Sequence, residues 1–112
     1  MKPLWTITPQ KVQSAIEKII EVSKPRKLIL FGSYSQGKID LNSDLDVLVV
    51  TGDKIENFRK ESVRIRRALK GIIMPLDILV ISENRLEQMV KVPGLIYQET
   101  VKHGKIVYES TE

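Results

Sequence analysis

Lys27-Leu28-Ile29-Leu30-Phe31-Gly32-Ser33, a ten-residue gap, and then Asp44-Leu45-Asp46-Val47-Leu48-Val49-Val50 form the stretch whose reading decides the fold. The first run is apolar and stops at a glycine, as a buried strand does where polar residues take over. The second is a strand that opens on two acids. Side chains at i and i+2 of a strand share a face, which sets Asp44 and Asp46 side by side at roughly 6.6 Å. A third carboxylate, Asp77, sits in Met74-Pro75-Leu76-Asp77-Ile78-Leu79-Val80-Ile81, again at the head of an apolar run. Ionised carboxylates in such surroundings are costly to desolvate and need a compensating charge or hydrogen bond.

A divalent cation is the natural compensation, because two like charges this close would otherwise leave one acid protonated. With oxygen donors only, one histidine and no cysteine in the chain, the donor set favours Mg²⁺ over zinc. Gly32 and Ser33 supply the other half of a site. A helix opening after the glycine offers unpaired backbone N–H groups and the positive end of a dipole, which suit phosphate oxygens. A phosphate cradle beside a carboxylate cluster makes a metal–nucleotide site, with two ions about 3.5 to 4 Å apart clamping attacking and leaving oxygens. The reaction class is phosphoryl or nucleotidyl transfer. The alternative for Asp44 alone is a cap at the entry of a strand.

The rest of the sequence supplies a frame of alternating helices and strands. Thr8 and Pro9 start a helix with apolar residues Val12, Ala15, Ile16, Ile19 and Ile20 at helical spacing, ending before Pro25. A strand covers residues 26–31, a short helix 33–36, a loop 37–43 and a second strand 44–50. Phe58, Ser62, Ile65 and Leu69 mark one face of a helix over 55–70, with Gly71 at its C-terminal cap. A strand over 76–81 follows, then helices over 83–91 and 95–102 separated by Val92-Pro93-Gly94, and a closing strand over 105–109. This predicts a single α/β (α+β) domain, a mixed sheet packed by helices.

Phe31-Gly32-Ser33-Tyr34-Ser35-Gln36-Gly37 and Asn42-Ser43-Asp44-Leu45-Asp46-Val47-Leu48-Val49-Val50 resemble the minimal nucleotidyltransferases of the polymerase-beta-like superfamily, whose signature is Gly-Ser, ten residues, Asp-x-Asp, and a further Asp on a later strand. The resemblance runs from about residue 12 to 108 of a domain spanning 1–112. It implies the polymerase-beta-like fold and its strand order. It implies that Asp44 and Asp46 ligate two Mg²⁺ ions, that Ser33 with the Gly32 backbone holds the triphosphate of ATP, and that Asp77 ligates the catalytic ion beside the acceptor hydroxyl and serves as its general base. Lys38 and Ser43 join the nucleotide-binding set. Many relatives carry Arg or Lys where this chain has Gln36, and Lys38 is the residue placed to substitute for that cation. The resemblance further implies transfer of AMP to a tyrosine of a helical HEPN-type toxin, with this chain as the antitoxin. Two other outcomes stay open: a nucleotide-binding module that neutralises its partner by occlusion, and a small-molecule adenylyltransferase working as a homodimer.

Length and charge set outer bounds. One domain fits in 112 residues, and 42% hydrophobic content supports a core. Only 35 residues follow Asp77, too few for a separate acceptor-binding domain, so the acceptor is expected on an open face or on another protein. The start lacks an apolar leader and no stretch approaches a membrane span, which predicts a cytoplasmic protein. A net charge of +4 and pI near 9.4 suit anionic partners without choosing among nucleotides, RNA and acidic proteins. The basic run Arg59, Lys60, Arg64, Arg66, Arg67, Lys70 reads either as a grip on such a partner or as a solvated face paired to Glu56 and Glu61. Direct nucleic-acid binding is left open. His103, beside a helix terminus, reads as a dipole or surface residue.

Overall fold

The computed structural model describes residues 6–32, 37, 44–53 and 57–110. In chain order the elements are α1 (Pro9–Ser23), β1 (Lys27–Phe31), β2 (Leu45–Thr51), α2 (Phe58–Ala68), β3 (Leu76–Ser82), α3 (Glu83–Met89), α4 (Ile96–His103) and β4 (Lys105–Glu109). The expected short helix over 33–36 and most of the loop after it lie outside the described residues.

Helix ends follow their capping chemistry. Thr8 Oγ1 accepts from the backbone N–H of Lys11 and Pro9 takes the first turn, as the sequence predicts. Ser82 caps α3 in the same way through the N–H of Arg85. Helix α2 differs from expectation at both ends. It starts at Phe58 because Asn57 is its cap, accepting from the Lys60 N–H, and it closes at Leu69, whose N–H bonds carbonyls of the last turn, so Gly71 is not the cap.

The sheet has the order β3-β2-β1-β4. β1 pairs antiparallel with β2 and β4, and β2 pairs parallel with β3, giving the mixed sheet that the alternation of elements suggested. The parallel β2–β3 connection requires a crossover, and α2 provides it. Alternating residues of the central strands face opposite ways, producing two cores. Leu28, Leu30, Leu45, Val47, Val49 and Ile78 pack under α1 and α2, whose Ile16, Ile19, Ile65 and Leu69 cover them. Ile29, Phe31, Leu48, Val50 and Ile81 face the other way, toward Leu86 and Met89 of α3 and Tyr97 of α4. Both faces of β1 and β2 are covered, which explains why these strands read as continuous apolar runs.

One buried charge ties the first layer together. Glu61 of α2 is 6% exposed and receives a hydrogen bond from Ser23 of α1 at 2.8 Å and two from Arg64 at 2.8 and 2.9 Å. These bonds hold its carboxyl below its usual range: the Arg64 hydrogen bond outweighs burial, and Ser23 adds to it.

Candidate active site

Three strand ends meet at one corner of the sheet. Because β1 runs antiparallel to β2, its last residue Phe31 pairs with Asp46 near the start of β2, and Gly32 follows at once. Because β3 runs parallel to β2, Asp77 pairs directly with Asp46. Asp46 alternates with Leu48 and Val50, and Asp77 with Leu79 and Ile81, so both acids project from the sheet face covered by α3 and α4. Adjacent strands lie about 4.8 Å apart, which makes the two carboxylates immediate neighbours. Asp44 stands one residue ahead of β2 and is exposed. The backbone N–H of Leu45, between the two acids, bonds to the Pro75 carbonyl at 3.0 Å and fixes the entry of β2 against β3.

Gly32 adopts φ +81°, a left-handed backbone that glycine adopts without strain. A side chain here would also run into the Asp46 carboxylate. The glycine therefore allows main chain and carboxylate to lie against each other, which brings backbone polar groups to the acid cluster.

The electrostatics of Asp46 register the crowding. Burial, then the charge of Asp77, then that of Asp44 push its carboxyl above the usual aspartate range. Asp46 thus senses both of the other acids across the corner. On the far side Asp77, largely exposed, accepts a hydrogen bond from Arg66 Nη2 at 3.2 Å, and the same nitrogen lies 3.5 Å from the Ile78 carbonyl. Among the described residues no three acidic or imidazole side chains are gathered closely enough to cage a metal ion as they stand. The donors nevertheless suit a hard divalent cation: they are all carboxylate oxygens, and Asp46 carries an uncompensated repulsion that such a cation removes.

Of the residues singled out in the sequence, Asp44, Asp46, Asp77 and Gly32 come together here, whereas Ser33, Lys38 and Ser43 lie outside the described residues. The contribution of Arg66 was hidden in the sequence, where it is one of five cations on α2. A cavity of about 210 Å³ adjoins Gly32, lined by Phe31, Ile96, Glu99, Thr100, His103 and Gly104. His103 lies in the last turn of α4, 3.7 Å from Glu99. No helix among the described residues is long and apolar enough to cross a membrane.

Comparison with known proteins agrees with this fold. The model of the family described as polymerase beta, nucleotidyltransferase matches residues 13–112. Among solved structures, the chain is similar to a toxin-antitoxin with AMP-PNP, at 22% identity and TM-score 0.56, covering 94% of this chain and 76% of that one. It is similar also to a Sulfolobus solfataricus structure assigned as a nucleotidyltransferase, at 19% identity and TM-score 0.56, covering 95% and 93%. A mutant of the toxin-antitoxin MntA-HpeT matches at 19% identity and TM-score 0.53, covering 88% and 73%. Comparison with the curated proteins finds no significant match. At these identities the solved structures share the fold, and the family follows from the match over residues 13–112: the chain belongs to the polymerase beta nucleotidyltransferase family.

Proposed function

We propose that the chain is a divalent-metal-dependent nucleotidyltransferase that moves AMP from ATP to a hydroxyl group and acts as the antitoxin of a toxin-antitoxin pair, its acceptor a tyrosine of a HEPN-type toxin. The observation that carries this reading is the alignment of Asp77 directly beside Asp46, with Gly32 packed on the Asp46 carboxylate. Asp44, Asp46 and Asp77 would hold Mg²⁺, which supplies charge compensation for the attacking and leaving oxygens when bound. The Gly32 backbone, with Ser33, Lys38 and Ser43, binds the triphosphate. Asp77, at the open edge of the sheet, takes the proton of the acceptor hydroxyl as its oxygen attacks the α-phosphorus and pyrophosphate leaves. The toxin-antitoxin structures of the same fold, one of them with AMP-PNP, support the partner and nucleotide.

Incubating the protein with ATP, Mg²⁺ and the toxin encoded beside it, followed by intact-mass measurement, tests the proposal. One adenylate-sized increase on the toxin is expected, and it should vanish with Asp44→Asn plus Asp46→Asn. An increase that survives the double substitution refutes the assigned site.

The grip of Arg66 on Asp77 favours a second reading, in which the chain binds nucleotide and neutralises its partner by occlusion. Cells distinguish the two: if the double variant still binds the toxin and suppresses it, occlusion is the mechanism.

A further inference from the structure

The positive charge of this protein is concentrated on one helix face. Residues 57–70 hold six of the chain's 18 Lys and Arg but only one of its 14 Asp and Glu, so this segment carries +5 and the remainder −1. The single acid, Glu61, is buried and turned toward α1. Of the exposed positions within α2, Arg59, Lys60, Arg64, Arg66 and Arg67 are basic and only Val63 is not, and Lys70 extends the row one turn further. Helical spacing places them on one continuous arc, about 18 Å long at 1.5 Å per residue. A solvated helix face ordinarily interleaves acids with its bases, and this one has none.

Internal pairing does not account for the cations. Arg64 is bound to Glu61 and Arg66 to Asp77, whereas Arg59, Lys60, Arg67 and Lys70 form no ion pair among the described residues. A groove of about 620 Å³ runs along the face, lined by Asn57, Arg59, Lys60, Val63, Arg64 and Arg67. It lies on the opposite side of the sheet from α3, α4 and the aspartate cluster, since α2 packs on the other core. Apart from Arg66, which reaches Asp77 round the edge strand, the face is therefore separate from the aspartate cluster.

We infer that the exposed face of α2 docks the phosphate backbone of a nucleic-acid duplex. A row of Arg and Lys on one helix face, four of them without an ion pair among the described residues, in a protein with pI near 9.4 is the electrostatic footprint of such binding. The face carries no aromatic residue, so it offers no stacking platform for unpaired bases and reads phosphates instead of sequence. This inference is independent of nucleotidyl transfer and of the metal site.

The test is fluorescence anisotropy with a labelled 20-base-pair DNA duplex, using the intact chain at several salt concentrations. Binding in the micromolar range is expected, with log K falling against log salt at a slope near −3 to −4, since each neutralised phosphate contributes about −0.9. Arg59→Glu/Lys60→Glu/Arg67→Glu should weaken binding at least tenfold and flatten the slope. Lys18→Glu/Lys91→Glu/Lys102→Glu, with the same net charge elsewhere on the surface, should change affinity less than threefold. Arg59→Gln/Arg67→Gln is a milder pair for which a slope shallower by about two is expected, and circular dichroism verifies folding. Equal weakening by both triple variants overturns the inference by reducing it to bulk charge. Binding of a 20-residue polyglutamate as tight as that of the duplex overturns it in favour of an acidic protein, and no salt-dependent binding overturns it outright.

Discussion

Arg66 Nη2 lies 3.2 Å from Asp77 Oδ1, so a helix on one side of the sheet reaches round the edge strand to the third acid of a cluster on the other. Both groups are about half exposed, and such a pair contributes at most about 1 kcal/mol to stability. Its larger effect is on the cluster, where the guanidinium already occupies one carboxylate oxygen. Arg66→Ala is expected to unfold within about 1 kcal/mol of the parent, yet to bind Mn²⁺ at a lower midpoint in calorimetric titration, because the ion no longer competes for Asp77. An unchanged or higher midpoint would mean that Arg66 orients the carboxylate for the ion.

The raised carboxyl of Asp46 predicts a pH signature. A group whose folded pKa lies above its unfolded value favours the folded state only while it holds its proton. That contribution is complete below the unfolded pKa and is lost as pH rises through the folded one. Once ionised, Asp46 is therefore a strain on the metal-free fold. Asp46→Asn, which cannot ionise, should melt higher than the parent at pH 7 in EDTA, with the gap closing on acidification. Adding Mg²⁺ should raise the parent's Tm and leave that of Asp46→Asn nearly unmoved. Equal responses would show that Asp46 does not meet the ion.

Gly32→Ala should damage fold and site together. The left-handed backbone at φ +81° costs an L-residue about 1 to 2 kcal/mol, and the new methyl would have to displace the Asp46 carboxylate. Urea denaturation is expected to show a loss of about 1 to 3 kcal/mol, and ATP binding should fall at least tenfold. A variant as stable as the parent would show that the chain turns differently at this position.

What was legible in the sequence, and what was not, divides by range. Thr8 and Ser82 announce helix starts because capping is a contact over three residues. The apolar runs of β1 and β2 could be read because both their faces are covered. Asp44 and Asp46 could be assigned to one face from the period of a strand alone. The neighbourhood of Asp46 and Asp77 could not, since it depends on a parallel pairing across the intervening α2, and only the family resemblance suggested it. Arg66 was equally hidden: helical spacing sets its face on α2, but its reach to Asp77 depends on β3 being an edge strand. Asn57 caps the start of α2 because a polar side chain just before Phe58 satisfies a free N–H of the first turn, and at the other end Leu69 closes the helix in place of Gly71.

Glu61 shows how a charge can belong to the core. Helical spacing suggested a surface pair with Arg64, and that pair exists, but the carboxylate also receives Ser23 from α1 and is nearly buried. Because its folded pKa is depressed, its contribution is present above the unfolded pKa and is lost as pH falls through the folded one. Glu61→Gln keeps the shape and removes the charge. It should cost about 1 to 2 kcal/mol at pH 7, the value of charge-assisted bonds discounted for the half-exposed Arg64. Guanidinium denaturation at a series of pH values should show the difference from the parent shrinking as pH falls and Glu61 itself takes up a proton. A deficit that stays constant across the series would assign the loss to packing between α1 and α2, and not to the charge.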